Sequence, residues 1–192
     1  MTKNSEQDIK GAIIDAALTL AAQQGWAQVT LAALADEAGL SLPALFDVIE
    51  DKTDILALLG RRIDRRVLET ISAPDAEVST RDRLFDILME RYDILNDNRE
   101  GLVSILESFC FDPKQAVIAC PHLCRSMNWM LEAAGIETGG LRGAIKVTAL
   151  TALYIKNLRV WKSDESADLA KVMAALDKDL GRAEQFANTL GF

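Results

Sequence analysis

Cys120, His122 and Cys124 are the residues whose types most suggest chemistry, because thiolates and imidazole together are zinc ligands. Their spacing works against that role. On a helix Cys120 and Cys124 share a face, whereas His122 points nearly the opposite way. A closed zinc site would need Cys110 and a fourth ligand from elsewhere, or a helix broken at Pro121. Free cysteines are more often small buried hydrophobes, so no metal is expected. His122 is the one histidine of the chain. No Ser-His-Asp constellation, glycine-rich phosphate loop or apolar pair of carboxylates can be argued around it. Neither catalysis nor a cofactor is expected. Arg61, Arg62, Arg65 and Arg66 form two i,i+4 pairs and carry charge enough to touch a phosphate. Such a cluster is more often a solvated face pairing with acids, here Asp64, Glu69 or the acidic N-terminal segment.

Residues 25–56 are informative through shape instead. They read as two short helices joined by a tight turn, followed by the start of another. Gly39 stands where the first must stop, since glycine adopts the left-handed conformation that ends a helix. Ser41 then serves as an N-cap, with Pro43 in the first turn of the next helix. Thr30 caps the preceding helix, with no Glu or Gln three residues on to complete a capping box. This is the layout of a helix-turn-helix, which lays its second helix in the major groove of DNA.

The charge of the same segment points elsewhere. Residues 1–56 hold three lysines against nine acids, a balance of −6 in a chain whose total is −8. A DNA-binding head is ordinarily basic, because phosphate neutralisation supplies most non-specific affinity. An acidic head is repelled by DNA at long range.

The elements that must position these residues are helical almost throughout. Ile9, Ile13, Ala16, Ala17 and Leu20 give a first helix over roughly 8–24. Helices follow at about 30–38, 42–49 and 53–71. The segment 72–79 (SAPDAEVS) is small, polar and proline-bearing, and reads as a linker. Further helices are expected at about 80–96, 99–110 and 114–134, the last kinked or split at Pro121. After Thr138-Gly139-Gly140 come helices at about 141–162 and 165–189. Leu169, Met173, Leu176, Leu180, Ala183, Ala187 and Leu190 recur in the final one at alternating spacings of four and three, a seam that packs against another helix. No β alternation of useful length occurs. With 192 residues, 49% of them hydrophobic, the chain can bury a sizeable core. No apolar run reaches the length of a membrane span, and the polar start MTKNSEQDIK lacks a signal-peptide core, so the cytoplasm is the expected compartment.

Gly25-Trp26, Thr30, Ala38-Gly39-Leu40-Ser41, Leu45-Phe46-Asp47-Val48-Ile49 and Lys52 together resemble the head of the tetracycline-repressor (TetR) family of transcriptional regulators. The likeness covers about fifty residues. It implies an all-α fold of about nine helices: a three-helix helix-turn-helix head, residues 1–52, and a larger helical domain, residues 53–192, for ligand binding and dimerisation. It further implies DNA contacts at Thr30, Ser41, Leu42, Pro43, Ala44, Phe46 and Lys52. Three positions depart from the family pattern: Phe46 stands where a tyrosine usually touches phosphate, Val48 where a histidine is usual, and Asp47 where a basic or polar residue is usual. Base readout then falls to Leu42, Pro43 and Ala44, which offer only apolar contacts such as those to a thymine methyl.

For the body, the resemblance implies a pocket for a small apolar or amphipathic effector, with Phe85, Met89, Tyr92, Phe109, Trp129, Met130 and Tyr154 as candidate lining. Singly, each of these is more ordinarily core packing. It also implies a homodimer formed through the last two helices, with no membrane insertion. The run Tyr154-Ile155-Lys156-Asn157-Leu158-Arg159-Val160-Trp161, with Asp164-Glu165-Ser166 and Ala174-Ala175-Leu176-Asp177, is similar to the C-terminal part of the lipid-binding accessory proteins of coenzyme Q biosynthesis. That second likeness implies an alternative, a TetR-fold lipid or isoprenoid carrier that has lost DNA binding.

Overall fold

The computed structural model describes residues 3–71, 77–111 and 113–190. Most of the expected linker, residues 72–76, and the side chain of Cys110 lie outside the described residues. The described residues form nine α-helices and one 3-10 turn and contain no strand. In order they are α1 (Lys3–Gln24), the 3-10 turn Trp26–Gln28, α2 (Leu31–Glu37), α3 (Leu42–Phe46), α4 (Lys52–Thr70), α5 (Thr80–Asn96), α6 (Arg99–Phe111), α7 (Pro113–Ala133), α8 (Gly140–Ser163) and α9 (Ala170–Leu190). The all-α expectation holds. The chain divides into two compact units, one of residues up to 62 with 95–122, the other of residues 63–94 with 123–192.

The first unit is built around α1. Its stretch Ile13–Ala21 is buried on nearly every side, so the apolar surface extends past the single face that the periodicity outlines to include Ile14, Leu18 and Ala21. Small residues permit this. Ala16, Ala17 and Ala21 let neighbouring backbones come close, and the closest approach is at Gly101 of α6. A Cβ on Gly101 would stand 2.5 Å from the Leu18 carbonyl oxygen. Leu34 and Leu45 bring α2 and α3 into the same core.

The second unit packs α8 against α9 with help from α5 and α7. Its core includes Leu88, Met127, Met130, Trp161, Val172 and Leu176. The α8–α9 contact carries a polar centre. Asp179 accepts from the Lys156 ammonium at 2.6 and 2.8 Å and from the Asn157 amide at 3.0 Å. Burial pushes the Asp179 carboxyl up, but those donors outweigh it and hold it below its ordinary range.

One expected helix start is corrected, and of the two outcomes open at Pro121, a kink or a split, the split does not occur. Pro121 does not split α7, which runs unbroken through it. Proline removes only the amide that would bond the Val117 carbonyl, and Val117 lies on the solvent side of the helix, where water can take that bond. The final helix starts at Ala170, not near 165, because Asp164 and Ser166 build a cap ahead of it. Asp164 Oδ1 accepts from the Ser166 amide at 3.1 Å and from its hydroxyl, while Oδ2 accepts from the amides of Lys171 at 2.9 Å and Val172 at 3.0 Å. Leu169 enters at φ +52°, a conformation few side chains adopt, and its side chain is buried. Burial alone would raise the Asp164 carboxyl; the Ser166 hydroxyl and the amides reverse this and bring its pKa to about 2.

A Gly101→Ala variant is expected to lose about 1–3 kcal/mol in urea denaturation, because a carbonyl of α1 would have to move to admit the methyl group. An Asp164→Asn variant is expected to be less stable by about 1–2 kcal/mol near neutral pH. The Asp164 carboxyl titrates lower in the folded protein than in the unfolded chain. Its contribution is therefore full above the ordinary carboxylate range and lost as pH falls toward about 2. Thermal melts from pH 6 to pH 2 should show the gap between variant and parent closing over that interval.

Candidate nucleic-acid interface

The turn between α2 and α3 is set by two backbone bonds that close a glycine-terminated helix. Leu40 N–H donates to the Ala35 carbonyl at 2.8 Å and Gly39 N–H to the Asp36 carbonyl at 3.1 Å, with Gly39 at φ +65°. This Schellman geometry requires a residue free of Cβ strain at the left-handed position. The two helix starts are capped as their sequence suggests. The Thr30 hydroxyl accepts from Ala33 N–H at 3.1 Å, and the Ser41 hydroxyl accepts from Ala44 N–H at 3.3 Å. Leu45 is buried beneath α3. Pro43 and Ala44 lie exposed and half-buried, while Leu42 is 54% exposed and Phe46 73% exposed. Thr30 and Ser41 are themselves exposed.

Lys52 is placed differently from these six. Its ammonium turns inward, donating to the carbonyls of Trp26 at 2.6 Å and Val29 at 2.9 Å. It also lies 4.4 Å from the Trp26 ring centroid. Burial lowers its pKa. Trp26 is in turn held by its amide, which donates to the Ser104 hydroxyl at 2.8 Å. Lys52 thus ties the start of α4 to the turn before α2.

Eight of the nine acids of this segment divide into two groups, and the ninth, Asp8, is exposed on α1. Four have internal partners. Asp51 accepts from Thr53 N–H at 2.6 Å, and Asp54 accepts from the amides of Glu50 at 2.8 Å and Asp51 at 3.4 Å, so the two cap α4 reciprocally. Asp15 pairs with Arg62 and Glu6 with Lys10, each at 2.5 Å. Asp36 and Glu37 at the end of α2, and Asp47 and Glu50 after α3, are exposed. Two arginines of α4 pair with acids: Arg62 with Asp15, and Arg65 with Glu69 at 3.4 Å.

In the second unit, Tyr92 and Tyr154 stack with ring centroids 5.2 Å apart, and the Tyr92 hydroxyl donates to the Tyr154 carbonyl at 3.2 Å. Burial pushes both phenols above their ordinary value, Tyr92 well above it. Met130 is buried in the same unit, Phe85 and Met89 are half-buried, and Trp129 is 58% exposed. Phe109, half-buried, belongs to the other unit. Met89 lines an open groove of about 290 Å³ with Asp86, Glu90, Asp93, Ala167, Asp168 and Leu169.

The residue that sequence reasoning passed over here is Arg91. It is buried, pairs with Asp64, donates through Nε to the Tyr154 hydroxyl at 3.0 Å and lies 5.2 Å from that ring. Asp64 also accepts from the Ser126 hydroxyl at 2.5 Å. A signal existed in the spacing: Leu84, Leu88, Arg91 and Leu95 fall on one helical stripe, and a cation on an apolar stripe must find a partner inside.

Among the described residues no three His, Cys, Asp or Glu side chains converge as a metal site would require. Cys120 is exposed, and the half-buried Cys124 thiol receives the Thr151 hydroxyl at 3.7 Å. Among the described residues no helix is long and apolar enough to cross a membrane.

The glycine-closed turn with a capped helix on either side has the layout of a helix-turn-helix. The family model of bacterial regulatory proteins of the tetR family matches residues 13–59, from within α1 into α4. The head is thus a TetR-type N-terminal domain. The fold is similar to that of a TetR transcriptional regulator from Nitrosomonas europaea (TM-score 0.72, 24% identity, 92% of this chain and 98% of that one). It is similar also to a TetR transcriptional regulator from Rhodococcus sp. RHA1 (TM-score 0.62, 20% identity, 92% and 97% covered). No curated protein matches the chain.

Replacing Lys52 by Met is expected to lower head stability by about 1–3 kcal/mol, since two carbonyls lose their donor. Denaturant unfolding followed by Trp26 fluorescence measures this. An unchanged midpoint would show that the ammonium has no structural role.

Proposed function

We propose that the protein is a TetR-type transcriptional regulator of the cytoplasm. Residues 1–52 form the DNA-binding head, and residues 53–192 the domain that binds an effector and dimerises. The observation that carries this reading is the capped Schellman turn between α2 and α3, within a segment that matches the tetR model. DNA contact falls to the exposed residues Thr30, Ser41, Leu42, Pro43 and Phe46 and the half-buried Ala44. Lys52 contributes by holding α4 in place. The effector is a small apolar or amphipathic molecule, and the paired rings of Tyr92 and Tyr154 are the support for placing it in the body.

Two heads are needed to meet the two half-sites of a two-fold operator. The outward faces of α8 and α9 support a homodimer through them. In α9 the apolar seam divides. Leu169, Leu176 and Leu180 are consumed by the unit's own core, whereas Met173 is exposed, as are Leu141, Ile145 and Ile155 of α8 and Phe186 of α9. An isologous contact would bury these.

A second reading, a TetR-fold lipid or isoprenoid carrier without DNA function, draws on one observation. The exposed face of α3 carries Asp47 and no cation, and Lys52 is turned inward. Mass spectrometry of lipids co-purified with the protein tests it, and protein free of lipid counts against it.

Fluorescence anisotropy at low salt against the DNA upstream of its own reading frame tests the regulator. Micromolar protein that binds no duplex overturns it. With few cations on the head, the slope of log K against log salt is expected to be shallow, of magnitude below about 4. Ile145→Glu is expected to give a folded monomer in sedimentation analysis, with at least a tenfold loss of DNA affinity. A dimer that persists would place the interface elsewhere.

A further inference from the structure

We infer that the effector is an amphipathic acid whose carboxylate binds the Arg91 guanidinium in exchange for Asp64; this rests on the effector-binding reading above. Arg91 is 3% exposed, yet only part of its hydrogen-bonding capacity is used. A guanidinium offers five N–H donors in a planar fork. Nε donates to the Tyr154 hydroxyl at 3.0 Å, and Nη1 donates to one oxygen of Asp64. Nη2 has no acceptor among the described residues, and it is not one of the buried atoms sealed without a partner. The edge formed by Nη1 and Nη2 is therefore half of a bidentate carboxylate site, already held in place by the core.

Asp64 does not fill that site. It meets Arg91 through Oδ1 alone, and the same oxygen accepts from the Ser126 hydroxyl at 2.5 Å. Its side chain is 14% exposed against 4% for Arg91, so Asp64 can turn toward water while the guanidinium cannot. A ligand carboxylate on Nη1 and Nη2 would make the two parallel bonds that Asp64 does not. Exchanging one carboxylate for another keeps the buried charge balanced. A neutral head cannot replace Asp64, and a phosphate dianion would bring a second, uncompensated charge. The surroundings suit the acid's apolar chain. The guanidinium lies 5.2 Å from the Tyr154 ring, which stacks on Tyr92, and Leu88, Met127 and Met130 belong to the same core. The groove along Asp86, Met89, Glu90 and Asp93 is a different place. Those residues recur at three and four along the face of α5 opposite Arg91, and their carboxylates repel an anion. Asp64 stands on α4, the helix that Lys52 opens at the head. Occupancy at Arg91 therefore changes what holds α4.

The test is isothermal titration calorimetry of the full-length protein with laurate, dodecanol and dodecyl phosphate. Laurate is expected to bind about tenfold more tightly than dodecanol, the equivalent of one charge-assisted hydrogen bond. Dodecyl phosphate is expected to bind more weakly than laurate. Asp64→Asn keeps the size of the side chain and removes the competing charge, so laurate affinity should rise about tenfold. A purely structural role for Asp64 predicts no such gain. Should that variant fail to fold, the double variant Asp64→Asn/Arg91→Met buries no lone charge and should bind laurate and dodecanol alike. In the anisotropy assay laurate should release DNA from the parent protein and not from the double variant. Laurate that binds no better than dodecanol or dodecyl phosphate overturns the inference and leaves DNA binding standing. So does a folded Asp64→Asn variant without the gain, or a double variant that still prefers laurate. A protein that binds no duplex overturns the regulator reading, and the calorimetric preferences then decide the inference by themselves.

Discussion

A guanidinium cannot be left alone inside a helical bundle, and the second unit is organised around that constraint. Arg91 is 3% exposed. An uncompensated charge there would cost several kcal/mol, far more than a pair of apolar contacts returns. Asp64 of α4 neutralises it, Tyr154 of α8 takes its Nε–H, and Ser126 of α7 completes the Asp64 carboxylate. One buried cation therefore fixes the relative register of α4, α5, α7 and α8. The stacked rings of Tyr92 and Tyr154 are part of the same arrangement, since the Tyr154 ring also faces the guanidinium. A core of leucines alone would tolerate sliding of one helix on another; directional bonds do not.

The head solves a related problem with a different cation. The Lys52 ammonium satisfies two carbonyls at the turn that precedes α2. Together with the reciprocal caps of Asp51 and Asp54, it fixes where α4 begins. This recasts the negative balance of the segment. Asp15, Asp51 and Asp54 serve folding, by ion pairing or capping, and the acidity that a DNA partner would meet is concentrated in Asp36, Glu37, Asp47 and Glu50. The exposed side chains of α3 are apolar and the exposed charges that follow it in the chain are acidic, a combination suited to short-range fit more than to long-range attraction.

Much of this was legible in the chain. Gly39, Ser41 and Thr30 mark the turn and the two helix starts because left-handed glycine and side-chain caps are local devices, readable within a few residues. Pro121 was legible in part: a kink and a split were both open, and α7 runs unbroken because the freed carbonyl faces solvent. The start of α9 was misjudged for a similar reason. Asp164 reaches seven and eight residues ahead to Lys171 and Val172, beyond the span of an ordinary cap. In the body, Tyr92, Met130 and Tyr154 share one unit, whereas Phe109 falls in the other, a division that no periodicity along one helix can reveal.

By itself the sequence determined what local chemistry and periodicity control: an all-α chain, the helix-turn-helix with its glycine-closed turn, and a helix α3 without hydrogen-bonding side chains. Only the tertiary structure decided which charges face inward. Lys52 could have reached for a phosphate, and Asp64 could have paired with an arginine of its own helix. Each was instead drawn to a distant partner: Lys52 to carbonyls more than twenty residues back, Asp64 to Arg91 on another helix. The reason is that a buried charge is stabilised by whichever opposite dipole or ion the packing brings within hydrogen-bond reach, and that proximity is a property of the folded core.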